Sequence, residues 1–360
     1  MIAPRGDTIP SKPRSILAGG LLMTLLVIAA AGPSGGGPAR ALAGPLDYCD
    51  PTASHLDPVD VPKGGSAPVD VPGVRTRSLS VSGLTTRVLE STNRRRRAAV
   101  VFLHGTPDSG EDFAGLIRRF RGRTHAVAID LPGFGHAEDA WARPATLDAA
   151  VAFLEGALRR LGIRRVHLVA HDVGGFVGLE WASRHPKRLR SATLIDTGVM
   201  LGYEHSQLAQ ITRSPGGEAF WAQLNRGSFS AGIQDGQSPS HQLPPEFVNR
   251  LYNDLDRETR CAIIKLYRAL DVPEIRALAR HQARVLRRRK HRPALVLWGA
   301  NDPYLPVRQA YRQREGFPAV ELKIFEQSGH WPFVDFPETT RKLVLPFIRG
   351  AIATDRARRR

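Results

Sequence analysis

Short apolar runs alternate with stretches of helical periodicity along most of the chain. Residues Ala98–Leu103 (AAVVFL) are apolar throughout, as expected for a strand buried on both faces of a parallel sheet. Residues Leu147–Leu161 instead carry apolar side chains at 147, 151, 154, 158 and 161, which is helical spacing. This alternation predicts an α/β fold with a mainly parallel eight-stranded sheet flanked by helices. Strands are predicted at Arg75–Val81, Thr85–Leu89, Ala98–Leu103, Ala126–Ile129, Val166–Ala170, Ala192–Ile195, Ala294–Trp298 and Val320–Phe325.

The strand pattern stops between about Leu201 and Arg292. We therefore expect an all-helical insertion over 201–292, which divides the α/β core into a first part, 74–200, and a second part, 293–352. A basic tail, 353–360, follows. Helices are predicted in the insertion at Phe220–Leu224, Pro245–Leu255, Glu258–Leu270 and Pro273–Arg288.

The N-terminal segment 1–43 has the pattern of a secretory signal peptide. Basic residues precede an apolar run at Ile16–Ala31, and small residues follow that run. We expect cleavage after Ala41 or Ala43, with an uncleaved N-terminal membrane anchor as the alternative. In either case the folded part is expected to be secreted or otherwise extracytoplasmic. Residues 44–73 are rich in Pro, Asp and Gly, which predicts an extended lead-in segment.

Composition narrows the class of protein. The chain has 360 residues, 42% of them hydrophobic, which excludes disorder over its whole length. Its two cysteines, Cys49 and Cys261, are too few for a disulfide-rich small domain or a four-cysteine metal site. In an oxidising compartment they could form one disulfide, and the alternative is two unpaired thiols.

The net charge of +17 suggests an anionic partner at first sight. The excess is concentrated at Arg94–Arg97, Arg284–Arg292 and Arg356–Arg360, away from the loops that follow the predicted parallel strands. These runs are not interleaved with aromatic residues, as a nucleic-acid surface would be. We therefore expect solvated arginines and no nucleic-acid partner, with weak association with an anionic cell envelope as the alternative.

Four loops at strand ends carry the candidate chemistry, because ligands of open parallel sheets bind outside the carboxyl ends of the strands. The loops are His104-Gly105-Thr106-Pro107, Ala170-His171-Asp172-Val173-Gly174-Gly175, Gly299-Ala300-Asn301-Asp302-Pro303 and Ser328-Gly329-His330-Trp331-Pro332. The second loop places Asp172 two residues after Ala170 and two before Gly174, between a predicted strand and a predicted helix.

This arrangement resembles the nucleophile elbow of the α/β-hydrolase fold superfamily, in which a tight turn needs small residues on both sides of the nucleophile. The order Asp172, Asp302, His330 is similar to the family order of nucleophile, acid and histidine. The helical insertion resembles the family's cap domain, and the resemblance covers roughly residues 74–350. An aspartate at the nucleophile position resembles the branch containing epoxide hydrolases and haloalkane dehalogenases.

The resemblance implies catalytic roles for these residues. A carboxylate is already ionised at neutral pH, so Asp172 could attack an sp³ carbon directly and form an alkyl-enzyme ester. His330 would then activate a water that hydrolyses the ester, with Asp302 orienting His330. Asp196, at the end of the preceding strand, is the alternative acid.

The same resemblance implies an oxyanion hole made by the backbone N–H groups of Thr106 and Val173. Gly105 and Pro107 suit a fixed turn that aims the Thr106 donor, and Gly174 keeps the elbow tight.

Other polar residues near these motifs are expected to support the loops. His104 and His171 are predicted to hold the loops in place without taking part in the chemistry. Asp108 and Asp130 are predicted to be turn or cap residues.

The leaving group distinguishes the two branches. Epoxide opening needs an acid for the departing oxygen, and by resemblance cap tyrosines supply it; Tyr267 is the best candidate and Tyr203 the second. By resemblance, dehalogenases bind halide with a tryptophan directly after the nucleophile, where this chain has Val173. Epoxide hydrolysis of a small apolar substrate is therefore favoured, with dehalogenation as the alternative.

A non-catalytic binding protein built on the same scaffold is a further alternative. No residue cluster has metal-ligand spacing, and no phosphate loop or dinucleotide fingerprint is present, so no metal or cofactor is expected.

Overall fold

The computed structural model describes residues 48–49, 69–91, 97–138, 146–235, 237, 242–288 and 292–358. The predicted signal peptide, 1–43, lies outside these residues, as do most of the lead-in and Arg94–Arg96 of the first basic run. None of the helices in the described part of the chain has the length and apolar character needed to span a membrane.

Eight strands form one sheet in the order β1-β2-β4-β3-β5-β6-β7-β8. Strands β1, β2 and β4 are joined by antiparallel pairing, and every other neighbouring pair is parallel. The predicted α/β class and eight-stranded sheet are therefore confirmed. The strands are β1 Arg75–Val81, β2 Leu84–Glu90, β3 Ala98–Leu103, β4 His125–Ile129, β5 Arg165–His171, β6 Leu189–Ile195, β7 Ala294–Gly299 and β8 Val320–Phe325.

Successive residues of β3 face opposite sides of the sheet, which explains why its sequence is apolar throughout. Val101 and Leu103 belong to the larger hydrophobic core on one face, whereas Val100 and Phe102 belong to the core on the other. Several strands extend beyond the predicted apolar runs. Strand β6, for example, begins at Leu189. Its early residues include charged and polar side chains, so the hydropathy pattern did not predict this part of the strand.

Helices cover both faces of the sheet. The helices are α1 Ala114–Ile117, α2 Leu147–Arg160, α3 Val173–Arg184, α4 Gln207–Arg213, α5 Gly217–Gln223, α6 Arg226–Asp235, α7 Pro245–Asn253, α8 Arg257–Ala269, α9 Val272–Arg287, α10 Arg308–Arg312, α11 Pro332–Asp335 and α12 Pro337–Ala357. Single 3₁₀ turns lie at Gly110–Phe113, Arg118–Phe120 and Gln313–Glu315. Apolar residues of α2 and α3 pack in the larger core, and those of α1 and α12 pack in the other.

The segment between β6 and β7 contains α4 to α9 and, among its described residues, no strand. The sequence pattern missed α4 and α6, which are short. It also began α5 three residues late, at Phe220. Gly217 is the first residue of that helix. A Cβ there would lie 2.2 Å from the Thr212 carbonyl oxygen, so only glycine permits this close approach.

A disulfide joins Cys49 to Cys261, with Cα atoms 5.6 Å apart. The bond fastens residues just before the α/β core to α8 in the helical segment. Backbone contacts reinforce it, because Arg257 Nε donates to the Tyr48 carbonyl at 3.0 Å and the Tyr48 N–H donates to Glu218 Oε2 at 3.1 Å. The pairing that the sequence left open is thus made in the structure.

Replacing both cysteines with serine should destabilise the protein. The bond closes a loop spanning a sequence separation of 212 residues, so its loss restores conformational entropy to the unfolded chain. We expect the free energy of unfolding to fall by about 2–5 kcal/mol in guanidinium titrations of the double variant. An unchanged unfolding midpoint at unchanged slope would show that the bond contributes no stability.

Candidate active site

Asp172 lies at the turn between β5 and α3 with φ = +42° and ψ = −121°. Positive φ is unfavourable for a non-glycine residue and costs roughly 1–3 kcal/mol. The turn closes because two glycines follow. A Cβ at Gly174 would lie 2.4 Å from the Leu103 carbonyl oxygen, and one at Gly175 would lie 2.1 Å from Thr197 Oγ1. The sequence therefore places a carboxylate on a sharp, strained turn at the carboxyl edge of the sheet.

The Asp172 carboxylate is buried and receives a hydrogen bond from the Thr106 N–H to Oδ2 at 3.1 Å. Its backbone carbonyl accepts from Thr197 Oγ1 at 2.7 Å and from the Gly175 N–H at 2.8 Å. Val173 is the first residue of α3. Burial raises the pKa of Asp172 above its usual value, although the charges of His330 and His171 and the Thr106 N–H oppose this.

Gly105 allows the loop after β3 to reach Asp172. A Cβ at Gly105 would lie 2.7 Å from Asp172 Cβ and 2.8 Å from His171 Nδ1, so any side chain would displace the nucleophile loop. The next peptide bond, Thr106–Pro107, is cis. His104 connects this loop to the loop after β4, because its Nε2 accepts the Leu131 N–H at 2.9 Å.

His330 is paired with Asp302. His330 Nδ1 lies 2.8 Å from Asp302 Oδ2, and both groups are buried. Asp302 Oδ1 accepts the N–H groups of Tyr304 and Leu305 at 2.8 and 2.9 Å. Burial by itself would lower the pKa of His330, but the carboxylates of Asp302, Asp172 and Asp108 outweigh it and raise the pKa to about 9.

Asp196, the alternative acid, lies beside Asp302 and not in its place. It ends β6 with φ = +44°, and its Oδ1 accepts the Gly299 N–H at 2.9 Å. Burial and the neighbouring charge of Asp302 raise the pKa of Asp196 well above its usual range. The hydrogen-bonded partner of His330 is therefore Asp302, and Asp196 is a neighbour of the pair.

The structure contradicts the prediction that Asp108 is a turn or cap residue. Asp108 is fully buried, with Oδ2 2.8 Å from His171 Nδ1 and Oδ1 accepting from Trp331 Nε1 at 3.1 Å. His171 Nε2 lies 2.9 Å from the His330 carbonyl oxygen, so both ring nitrogens face acceptors. Asp108 thus joins three of the four predicted loops. No local sequence pattern marks this role, because its partners lie far away along the chain.

Asp130 is also more than a turn residue. Its carboxylate is buried, and it accepts from Arg87 Nε at 2.9 Å and from the Gly110 N–H at 2.7 Å. The fully buried Arg87 guanidinium needs such a partner, because an unpaired charge in the core is costly. The pair fixes the loop after β4 to β2 and to the 3₁₀ turn at Gly110.

Both predicted cap tyrosines are electrostatically linked to Asp172. Burial and then the negative charge of Asp172 raise the pKa of Tyr203, and the same two causes raise the pKa of Tyr267. Each hydroxyl is therefore protonated at neutral pH and available as a donor. The Tyr203 hydroxyl also lies 3.2 Å from His205 Nδ1.

Sequence reasoning missed two aromatic neighbours of His330. Tyr304 and Trp331 pack edge-on against its ring at centroid distances of 4.9 Å each. They enclose the imidazole between apolar surfaces and limit its rotation. Both residues lie close to Asp302 or His330 in the sequence, and this closeness was a signal that could have identified them.

An apolar cavity of about 200 Å³ adjoins the elbow. Val173 and Phe176 of α3 form part of its wall, together with residues of α2 and α8. Phe176 also packs edge-on against Tyr203, with ring centroids 5.6 Å apart. The cavity and the candidate catalytic residues thus share a wall.

Among the described residues, one group of candidate metal ligands lies close enough to share a cation: atoms of Asp196, Asp302 and His330 within 4.8 Å of one another. The His330–Asp302 hydrogen bond already accounts for this proximity. The raised pKa of Asp196 disfavours metal binding, since a metal needs the carboxylate form. The donor set therefore fits a hydrogen-bonded pair better than a metal centre.

The alpha/beta hydrolase fold family matches the chain over residues 98–337. The chain belongs to this family, which confirms the resemblance drawn from its motifs, and it is a hydrolase of the α/β class.

Individual relatives differ in the reactions their names give. A 2-hydroxy-6-oxononadienedioate/2-hydroxy-6-oxononatrienedioate hydrolase from Burkholderia vietnamiensis is 26% identical over 264 residues, covering 70% of this chain and 87% of that protein. A haloalkane dehalogenase from Agrobacterium fabrum is 34% identical over 139 residues, covering 36% of this chain and 44% of that protein. The crystal structure of a haloalkane dehalogenase from Agrobacterium tumefaciens C58 gives a TM-score of 0.66 at 22% identity, covering 78% of this chain and 98% of that one. This structural likeness shows the fold alone.

Removing either neighbouring negative charge should lower the pKa of His330 from its value of about 9. We expect Asp302→Asn to lower it by about one to three units, and Asp172→Asn to lower it less, because Asp302 makes the larger contribution. NMR titration of the His330 ring carbon signals measures both values. Asp148→Asn, an exposed carboxylate on α2, is the control and should leave the titration unchanged. An unchanged value in Asp302→Asn would contradict the pairing.

Proposed function

We propose that the protein is an epoxide hydrolase that forms an alkyl-enzyme ester on Asp172 and releases a diol. The observation that carries this proposal is the convergence of charges around Asp172. A buried carboxylate on a strained elbow interacts electrostatically with a hydrogen-bonded histidine and with two tyrosines, whose hydroxyls are protonated at neutral pH. The paired His330 and Asp302 also favour a catalytic protein over a binding protein on the same scaffold.

In the first step, a carboxylate oxygen of Asp172 attacks an epoxide carbon and the carbon–oxygen bond of the ring breaks. The departing oxygen takes a proton from the hydroxyl of Tyr203 or Tyr267, leaving a tyrosinate. Asp172 becomes a neutral ester. A buried carboxylate is poorly solvated, so little hydration must be removed before it attacks.

In the second step, His330 Nε2 removes a proton from water, and the resulting hydroxide attacks the ester carbonyl of Asp172. The Thr106 N–H already points at Oδ2 and would stabilise the negative oxygen of the tetrahedral intermediate; the Val173 N–H is the proposed second donor. Collapse expels the alkoxide of the diol, which takes the proton of the new Asp172 carboxyl group, and leaves one water oxygen in the Asp172 carboxylate. His330 keeps the proton taken from water and so returns to its starting imidazolium form, and the net reaction is epoxide plus water to diol.

Esterification itself prepares His330 for the second step. In the free protein, the negative charge of Asp172 helps hold the pKa of His330 at about 9, which favours the imidazolium. The ester removes that charge, so the pKa of His330 falls. Its proton then passes to the tyrosinate formed in the first step, which restores the tyrosine and leaves His330 as the neutral base. The base is thus favoured after the nucleophile has reacted.

Haloalkane dehalogenation is the second candidate, because the Agrobacterium fabrum relative that is 34% identical over 139 residues carries that name. It uses the same ester on Asp172 but expels halide, which needs donors and no acid. Val173 and Thr106 offer no side-chain N–H donor there. Protonated tyrosines suit an oxygen leaving group better, since they can transfer a proton. Halide release from haloalkanes, assayed beside diol release from epoxides, separates the two.

We propose that the protein acts outside the cytoplasm, where its substrate would be a small apolar molecule. The Cys49–Cys261 disulfide supports this, because such bonds persist mainly in oxidising compartments. A basic pocket supports weak association with an anionic envelope. Its cationic lining consists of Lys187, Arg190, Arg288, Arg292 and Arg358, with Asp355 as the one carboxylate.

His330→Gln should accumulate the ester on Asp172, because the first step needs no base and the second does. With a reactive epoxide, intact mass spectrometry should show one adduct of the substrate's mass, and peptide mapping should place it on Asp172. His330→Gln combined with Asp172→Asn is the matched control and should show no adduct. Absence of an adduct with every epoxide and haloalkane tested would refute the aspartate mechanism.

Removing both tyrosine hydroxyls should impair epoxide opening far more than halide displacement. Tyr203→Phe combined with Tyr267→Phe should lower kcat/KM for epoxides by about 10²–10⁴-fold, the usual range for a lost general acid. Tyr311→Phe, at an exposed tyrosine, is the control and should be neutral. Full epoxide activity in the double variant would mean that the acid lies elsewhere.

A further inference from the structure

The cavity beside the elbow is lined almost wholly by apolar side chains. Its walls come from the β1–β2 turn, the loop after β4, the first half of α2, the start of α3 and the second half of α8. Ser82 and Thr146 are the polar residues among those that line it. Such a surface favours hydrocarbon and disfavours charged or sugar-like groups, which would lose their hydration without gaining partners.

The cavity is too large to be a packing defect. Native interiors contain few voids larger than a water molecule, and an apolar cavity of roughly 150 Å³ is enough to bind benzene. This one has a volume of about 200 Å³. A space of that size is large enough to hold a small apolar ligand.

Val173, which directly follows Asp172 in the chain, lines the cavity, and so does Phe176, which packs against Tyr203. The exposed Ser82 in the β1–β2 turn lines it as well. The cavity, called the passage below, thus lies between residues of α2 and α8, adjoins the elbow and includes a surface residue.

We propose that this passage holds an unbranched aliphatic chain attached to the reacting carbon, so that the preferred substrates are long-chain aliphatic epoxides. This inference rests on the proposed function, since it names the substrate of the same site. Small side chains on both facing helices, Ala149 and Ala150 on α2 and Ala262 on α8, leave room for a chain between them.

The first test is a series of 1,2-epoxyalkanes from butane to dodecane. The wild-type kcat/KM should rise by up to about fourfold per added methylene until the passage is filled, as expected for transfer of each group from water. Aromatic epoxides such as styrene oxide should be poorer than the octane and decane members. A flat series, or a preference for styrene oxide over the whole series, would overturn the proposal.

Filling the passage should remove this dependence. Ala150→Leu, on a helix that carries none of the proposed catalytic groups, should cost more activity with each longer epoxide, as should Ala262→Leu. Ala269→Leu is the matched control, because Ala269 is exposed on α8 and does not line the passage. Leu266→Ala widens the passage and should extend the rise to longer chains. Equal losses at every chain length would overturn the proposal.

A binding measurement separates failure of this proposal from failure of the proposed function. Saturation-transfer NMR with 1-decanol needs no turnover. Decanol should bind the wild type and Asp172→Asn, bind Ala150→Leu at least tenfold more weakly, and bind Ala269→Leu normally. If no epoxide is hydrolysed but this binding pattern holds, the passage remains an aliphatic site and epoxide hydrolysis fails. If Ala150→Leu binds decanol as well as the wild type, the aliphatic site is refuted whatever the activity.

Discussion

The rest of the site depends on two unfavourable features of Asp172: its carboxylate is buried, and its backbone has φ = +42°. The surrounding structure compensates for both. The backbone strain persists since Gly174 and Gly175 let α3 approach β3 and Thr197 closely. The desolvated charge is balanced by the Thr106 N–H and by the nearby imidazoles of His330 and His171. Close packing of glycines and a compensating charge network together hold the Asp172 carboxylate in this position.

The network around Asp172 contains several carboxylates. Asp108 and Asp302 each have an imidazole partner at 2.8 Å, His171 and His330 respectively. Asp196 has no such partner, and burial and the charge of Asp302 raise its pKa. Burying like charges together is costly, so the state of one carboxyl affects its neighbours. The charge of Asp172 in turn contributes to the raised pKa of His330.

Much of the fold could be predicted from sequence because the relevant signals are local. Apolar runs such as Ala98–Leu103 mark strands that are buried on both faces, and the residues flanking Asp172 mark a tight turn. The role of Asp108 could not be predicted in this way. Its partners, His171 and Trp331, are 63 and 223 residues away along the chain, and only the folded sheet brings them together. The helices α4 and α6 were missed because tertiary packing, and not amphipathic periodicity, stabilises them.

The site residues also divide into those that the sequence identified and those that needed the structure. Asp172, His330 and Asp302 were found through motif order, and the structure places the last two in one hydrogen bond. The choice between Asp302 and Asp196 needed coordinates, because both carboxyls lie at strand ends near His330. The cavity between α2 and α8 also lies beyond sequence reasoning, since its volume depends on how distant helices pack.

The central claim is that a carboxylate oxygen of Asp172 enters the product. A single turnover of excess protein with an epoxide in ¹⁸O-labelled water measures this directly. The diol from that turnover should contain no ¹⁸O, and peptide mass analysis should then find one ¹⁸O in Asp172. A diol labelled in the first turnover, with Asp172 unlabelled, would show that water attacks the epoxide itself and would contradict the ester mechanism.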